Sequence, residues 1–173
     1  DPLENQSIDF HSLDGQKGFR LQGTASGDRF GAAVAAVGDV NQDGYKDFAV
    51  GAYYANPGGR PEAGITYVIF GGIAWGTYPS IGVASLSAAQ ALRIHGAQSD
   101  DWSGDDVDAA GDLNGDGIAD LVIGARLASR PNLDYCGEGY VVFGTQQLSL
   151  IGVLDLAQLN GQNGFTFRSH QAY

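Results

Sequence analysis

Methionine is absent from this sequence, and cysteine, proline and basic residues are scarce. The lack of an initiator methionine indicates a processed chain or a piece of a longer protein. The single cysteine, Cys136, excludes an internal disulfide and is expected to be a half-buried free thiol. No apolar run reaches the roughly 18 residues that a transmembrane helix requires, so no such helix is predicted.

Positive charge is also scarce, because 9 Lys and Arg stand against 20 Asp and Glu, for a net charge of −11. Nucleic acids and anionic membranes bind to basic patches, which the sequence lacks, so neither is an expected partner. No nucleophile elbow, phosphate loop or Cys-His pair is present. His11, His95 and His170 lie in edge or outer segments and are interpreted as surface residues. We therefore expect a protein that is not an enzyme.

Two acidic loops, residues 39–47 and 112–120, share the pattern D-x-N-x-D-G-x-x-D. Calcium binds six to eight oxygen atoms, which alternating side chains of a tight loop can supply. Gly44 and Gly117 permit the sharp turn, since glycine readily adopts a positive φ. The predicted ligands are the Asp and Asn side chains and one backbone carbonyl in each loop: Asp39, Asn41, Asp43, Tyr45, Asp47, Asp112, Asn114, Asp116, Ile118 and Asp120.

Two other interpretations of these loops explain less. An EF-hand requires a carboxylate at the twelfth loop position, where this chain has Val50 and Ile123. A metal-free turn is the second alternative, because Asp, Asn and Gly dominate turns in general. However, the same side chains recur at all four proposed side-chain ligand positions, and clustered carboxylates repel one another without a cation. The sequence thus predicts two Ca²⁺ sites.

The loops belong to an internal repeat of 73 residues that covers most of the chain. Residues 67–71 align with 140–144 without gaps, and residues 8–19 align with 154–165 two periods later. Repeats of this kind bury a core only by stacking. We predict an outer strand of a preceding blade plus a linker in residues 1–27, a first repeat in 28–100 and a second in 101–173.

Each repeat is expected to contribute four strands, separated by glycine-rich or polar turns. Four strands per repeat, small residues in the first strand and 27 glycines indicate an all-β fold of β-propeller-type blades. A further outer strand is predicted near residues 19–23. The eight strands are predicted at Gly31–Val37, Phe48–Ala52, Ile65–Phe70, Ala91–His95, Gly104–Ala110, Leu121–Ala125, Glu138–Phe143 and Gly164–Arg168.

The first repeat resembles the FG-GAP repeat in three elements: Phe30-Gly31, the loop that follows Gly38-Asp39, and Gly51-Ala52. FG-GAP repeats build the seven-bladed propeller of integrin α subunits and of related bacterial and cyanobacterial surface proteins. The resemblance implies a Ca²⁺-binding module for adhesion or recognition at the cell surface or outside the cell, with a protein or glycan as partner. Millimolar extracellular Ca²⁺ would fill such loops.

The second repeat departs from the FG-GAP pattern at two positions. Ser103 replaces the phenylalanine, and Trp102, one residue earlier, is expected to supply the lost aromatic ring. Tyr53 and Arg126 replace the proline of the Gly-Ala-Pro element. Neither departure alters a predicted Ca²⁺ ligand, so the change is expected in the packing between blades.

About 2.4 repeats are too few to close a ring of four to eight blades. The ring is therefore incomplete unless the chain is a fragment or forms a homo-oligomer, and an open two-blade unit is the third alternative. The unpaired N-terminal strand would favour exchange with a neighbour. Two other functions stay open: a self-assembling structural protein and an accessory segment of a secreted hydrolase. The acidic cluster at residues 100–106 is either a patch for glycan or a cation, or a solvated loop.

Overall fold

The computed structural model describes residues 9–72, 75 and 78–168, and its regular structure is almost entirely β. The helical segments are one short helix, α1 (Leu148–Ile151), and 3₁₀ turns that include Phe10–Ser12, Val83–Ser85 and Leu156–Gln158. None of the helices in these residues is long and apolar enough to cross a membrane. The strands are β1 (Arg20–Gln22), β2 (Val34–Gly38), β3 (Asp47–Ala52), β4 (Ile65–Ile69), β5 (Ser80–Gly82), β6 (Ala91–His95), β7 (Ser103–Gly111), β8 (Asp120–Ala125), β9 (Glu138–Val142), β10 (Val153–Asp155) and β11 (Gly164–Arg168).

Two antiparallel sheets of four strands form the body of the fold, and we call them blade one and blade two. Blade one has the order β2-β3-β4-β6, and blade two has the order β7-β8-β9-β11. The sheets do not close into a barrel, so the predicted class, all-β with propeller-type blades in an incomplete ring, is confirmed. All eight predicted blade strands are present.

The largest difference in strand limits is at β2, which begins at Val34 instead of Gly31. The chain turns just before it, because Arg29 has a φ of 60° and the Ala32 amide donates to the Arg29 carbonyl. This turn delays entry into the ladder with β3 by three residues.

Two short parallel strands that the sequence did not predict lie beside the outer strands. Strand β10 adds to the outer edge of blade one by pairing with β6, and β5 pairs with β1 in the same way. The N-terminal outer strand predicted near residues 19–23 is therefore present as β1. Strand β5 of the same chain covers one edge of β1, and among the described residues no strand pairs with its other edge.

The main core lies between the two blades. Val68, Leu92 and Ile94 of blade one pack against Leu121 and Ile123 of blade two, and all five side chains are fully buried. A smaller core covers the other face of blade one, where Tyr67 and Ile69 contact residues around β1 and β5. Blade one is thus covered on both faces.

Candidate metal centres

Each acidic loop connects the first two strands of a blade. The first loop follows β2 and ends at Asp47, the first residue of β3; the second follows β7 and ends at Asp120, the first residue of β8. The antiparallel ladder at the base of each hairpin therefore fixes both ends of the loop. All ten predicted ligand residues lie on these two hairpins.

Backbone amides of the first loop fold it around its own carboxylates. The Asp39 carboxylate accepts hydrogen bonds from the amides of Asp43, at 3.0 Å, and Gly44, at 2.9 Å. The Asp43 carboxylate accepts from the Tyr45 amide at 2.9 Å and from the Asn41 side-chain amide at 2.9 Å. Gly44 has a φ of 91°, so the predicted need for glycine at this turn is confirmed. These bonds bring Asp39, Asn41 and Asp43 together.

The second loop repeats this arrangement. Asp112 accepts from the amides of Asp116, at 3.0 Å, and Gly117, at 2.9 Å. Asp116 accepts from the Ile118 amide at 2.8 Å and from the Asn114 side-chain amide at 2.9 Å. The intervening residues differ between the two loops, so the shared acidic and glycine positions are sufficient to specify the shape.

The last aspartate of each loop is buried, with relative exposures of 2% for Asp47 and 0% for Asp120. Asp47 accepts from the amides of Val40, at 2.9 Å, and Gly71, at 2.8 Å. Gly71 follows β4, so Asp47 links the loop to the third strand of the blade. Asp120 makes the equivalent pair of bonds, to the amides that follow β7 and β9. The sequence did not reveal this link, because the amide donors lie 24 residues from their acceptors.

Electrostatics disfavours a charged carboxylate at Asp47. Burial raises the pKa of Asp47, the charges of Asp43 and Asp39 add to the shift, and the amides of Gly71 and Val40 oppose it, which gives a pKa of about 6. A cation near these carboxylates would favour their charged forms.

The donor set consists only of oxygen atoms, which suits Ca²⁺ and Mg²⁺ better than softer metals. A carboxylate oxygen that accepts one amide hydrogen bond keeps a second lone pair for a metal. Within residues 9–72, 75 and 78–168, however, no three His, Cys, Asp or Glu side chains are arranged to hold a metal ion. In this conformation, the loop amides organise the carboxylates.

Two aspartates of the acidic cluster at residues 100–106 form ion pairs with arginine side chains. Asp105 pairs with Arg126 at 2.5 Å, and the buried Asp101 lies 3.7 Å from Arg130. Burial raises the pKa of Asp101, and the Arg130 charge opposes this shift. The sequence did not predict these arginine partners, because nothing local connects the cluster to the loop after β8.

Trp102 does not replace the missing phenylalanine of the second repeat. Its ring lies 5.4 Å from that of Tyr53 and 4.8 Å from that of Tyr54, which belong to the first repeat. The Arg126 guanidinium lies 4.7 Å from the centre of the Trp102 ring. The aromatic cluster therefore bridges the two blades. Cys136 is a half-buried free thiol, as predicted.

Comparison with known families agrees with this geometry. A family model described as FG-GAP repeat matches residues 30–69 and 104–143, each of which spans three blade strands and one acidic loop. The chain contains two FG-GAP repeats. Both matched segments end at the third strand of a blade, so the outer strands β6 and β11 lie beyond them.

Proteins that share these FG-GAP repeats include integrin α subunits. Mouse integrin alpha-E is 36% identical over 132 residues, which cover 72% of this chain and 10% of the integrin. Mouse integrin alpha-M is 37% identical over 101 residues, or 57% of this chain and 8% of the integrin. Bovine phosphatidylinositol-glycan-specific phospholipase D is 38% identical over 124 residues, or 69% of this chain and 14% of the enzyme. The chain thus spans only about a tenth of these relatives.

Proposed function

We propose that both FG-GAP loops bind Ca²⁺ as a structural ion, and that the chain is a Ca²⁺-stabilised recognition module. The observation that carries this proposal is the agreement between the two loops. Each loop holds its first two carboxylates by the same amide bonds, although Gln42 in one loop corresponds to Gly115 in the other. Such agreement is expected if both loops bind the same kind of cation through oxygen atoms.

The ion would stabilise each blade at the loop end of its first hairpin. Asp47 and Asp120 begin the second strands, and their carboxylates also accept amides that follow the third strands. A cation held by the loop would attract these buried carboxylates and hold them in place, so metal binding would contribute directly to folding.

The similarity to integrin α subunits supports a role in adhesion or recognition, at the cell surface or outside the cell. The partner class we propose is a protein or glycan. Calcium sites in extracellular modules fill at roughly 10⁻⁴ to 10⁻³ M Ca²⁺, which agrees with that location. The acidic net charge of −11 disfavours nucleic acid as the partner.

Calorimetric titration of the metal-free chain with Ca²⁺ tests the binding. We expect two ions per wild-type chain, and one for Asp43→Ala or Asp116→Ala, since each variant loses a carboxylate from one loop. Asp14→Ala is the matched control, because Asp14 is an acid that caps a turn outside both loops. A wild-type chain that takes up no Ca²⁺, or loop variants that still bind two ions, would contradict the proposal.

A second candidate is an accessory repeat segment of a secreted hydrolase. The similarity to bovine phosphatidylinositol-glycan-specific phospholipase D favours it as directly as the integrin similarity favours adhesion. The sequence encoded on either side of this segment distinguishes the two. A hydrolase domain in the same reading frame supports the accessory role, and further FG-GAP repeats without one support the recognition module.

A further inference from the structure

A cavity of about 380 Å³ lies beside the second acidic loop. It is lined by Asn114 and Asp116 of that loop, by the segment that follows β9, and by the turn that precedes β11. Leu148 and Leu154, both buried, give it an apolar floor. Sites for small molecules have volumes of roughly 300–1,000 Å³ and combine an apolar lining with a few polar groups. The cavity therefore has the size and the composition of a small-molecule site.

Hydrogen bonds hold two of these lining segments in place. The segment after β9 is attached to the first acidic loop, because the Thr145 amide donates to the Val40 carbonyl at 2.8 Å. Within the turn before β11, the Asn160 side-chain carbonyl accepts from the Gln162 amide at 2.9 Å. A cavity whose walls are already ordered loses less conformational entropy when a ligand binds.

Three carboxamide side chains that line the cavity have polar atoms available to a ligand. Among the described residues, no acceptor faces Nε2 of Gln147 or Nδ2 of Asn160, and the side chain of Gln162 makes no hydrogen bond. A carboxamide carries two donor hydrogens and one carbonyl acceptor. The cavity thus offers both kinds of hydrogen-bonding group to a ligand.

The charge of the cavity favours a neutral ligand. Asp116 is the only charged residue among the described residues that line it. An anion would have no cationic partner there, and the Asp116 carboxylate already accepts from the Ile118 amide and the Asn114 side chain. Hydroxyl groups both donate and accept hydrogen bonds, as carboxamides do. A small polyhydroxyl compound therefore matches the polar groups, and its C–H face matches the leucine floor.

The three carboxamides are specific to the second repeat. Small side chains stand at the same positions one 73-residue period earlier: Ala74, Ser87 and Ala89 in place of Gln147, Asn160 and Gln162. Two large aromatic side chains of the first repeat are replaced by smaller aliphatic ones in the second: Trp75 and Tyr78 by Leu148 and Ile151. Since both repeats build the same blade, the blade fold does not require the carboxamides.

We propose that this cavity binds an uncharged sugar unit of a glycan. The proposal rests on the recognition role proposed above, and adds the class of ligand and the place where it binds. Gln147, Asn160 and Gln162 donate hydrogen bonds to the sugar hydroxyls, and the apolar floor contacts the C–H face of the ring. No covalent change accompanies binding.

NMR titration of the isotope-labelled chain with simple sugars tests the site. The neutral probes are the methyl glycosides of glucose, galactose, mannose and N-acetylglucosamine; N-acetylneuraminic acid and glucosamine are the anionic and cationic controls. Side-chain amide groups give their own signals in heteronuclear spectra, so contacts with the carboxamides are observed directly. We expect at least one neutral glycoside to shift the side-chain signals of Gln147, Asn160 and Gln162 until saturation, and neither charged sugar to do so.

Variants that carry the residues of the first repeat test which groups bind the sugar. The double variant Gln147→Ala and Gln162→Ala introduces alanines that the other blade already has at these positions, so its fold is expected to persist. It should bind the glycoside about tenfold more weakly, because two hydrogen bonds are lost. Gln146→Ala is the matched control, since Gln146 lies next to the cavity but donates to Gln42 instead. Its affinity should equal that of the wild type.

Uptake of Ca²⁺ and binding of sugar are measured on the same sample, so the two proposals fail separately. A chain that takes up Ca²⁺ but responds to none of the neutral glycosides overturns the sugar site alone. A chain that binds a neutral glycoside without Ca²⁺ uptake supports the sugar site and contradicts the metal sites. Wild-type affinity in the double variant overturns the sugar site, as does tighter binding of either charged sugar than of every neutral one.

Discussion

Single carboxylates determine much of the local structure in this chain, and their roles depend on burial and partners. In the loops they accept amide bonds, whereas Asp155 forms an ion pair between the repeats. The Arg60 Nη2 lies 2.6 Å from Asp155 Oδ2, and Nη1 lies 3.2 Å from Oδ1. Arg60 precedes β4 of the first repeat, so this pair joins the end of β10 to blade one.

The Asp155–Arg60 pair predicts a pH-dependent contribution to stability. Burial raises the pKa of Asp155, but the hydrogen bonds from Arg60 and the Ala157 amide outweigh it, so the pKa lies below its ordinary value. The contribution is therefore complete above the unfolded pKa of about 3.9 and is lost as pH falls through the lower folded value. Asp155→Asn keeps the turn cap and removes the charge.

We expect Asp155→Asn to lower the free energy of unfolding by about 1–3 kcal/mol at pH 7, the range for a hydrogen bond to a charged group. Urea unfolding at a series of pH values measures this difference, which should shrink below about pH 4. Arg60→Gln and the double variant complete a cycle that isolates the pair. A difference that is unchanged between pH 7 and pH 3 would show that the charge is irrelevant.

At the level of elements, the 73-residue period made the blade strands predictable. Their hydrophobic cores and glycine boundaries occur twice, so Ile65 and Glu138 both begin third strands as predicted. Strands β5 and β10 were not predicted because three residues are too few to show alternation, and their pairing connects segments 60 residues apart. The loop shapes were predictable from local Asp and Gly positions, whereas the hydrogen bond that the Gly71 amide donates to Asp47 forms only in the assembled sheet.

Two glycines occupy equivalent positions of the 73-residue repeat but are packed differently. A Cβ on Gly51 of β3 would collide with the Gly104 carbonyl oxygen of blade two. The same atom on Gly124 of β8 would have the Asp106 Cβ as its nearest neighbour, at 3.6 Å, an ordinary contact. The difference follows from blade two lying against β3 while the corresponding face of β8 is open to solvent in a single chain.

Gly51→Ala is therefore expected to lower the free energy of unfolding by at least about 2 kcal/mol, because the blades must separate to admit the methyl group. Gly124→Ala is the matched control, and should change it by less than about 1 kcal/mol. Chemical denaturation in dilute solution measures both. Equal losses in the two variants would contradict the close approach of the blades at Gly51.

On the scale of the whole molecule, two blades share one core, and each carries a loop that ties its first hairpin to its third strand. The stability of both blades would then depend on the proposed ion. A site at a hundred times its dissociation constant contributes about 2.7 kcal/mol. For a chain of this size, each kcal/mol corresponds to about 2–4 °C in Tm. Two sites together therefore predict a change of roughly 10–20 °C.

Thermal unfolding with saturating Ca²⁺ and with EDTA is the most direct test of the claim that the FG-GAP loops are structural Ca²⁺ sites. We expect EDTA to lower Tm by roughly 10–20 °C, and Ca²⁺ in excess of the chelator to restore it. The variant that lacks both Asp43 and Asp116 carboxylates should melt at the lower temperature in either buffer. A wild-type Tm that is the same with Ca²⁺ and with EDTA would contradict the account.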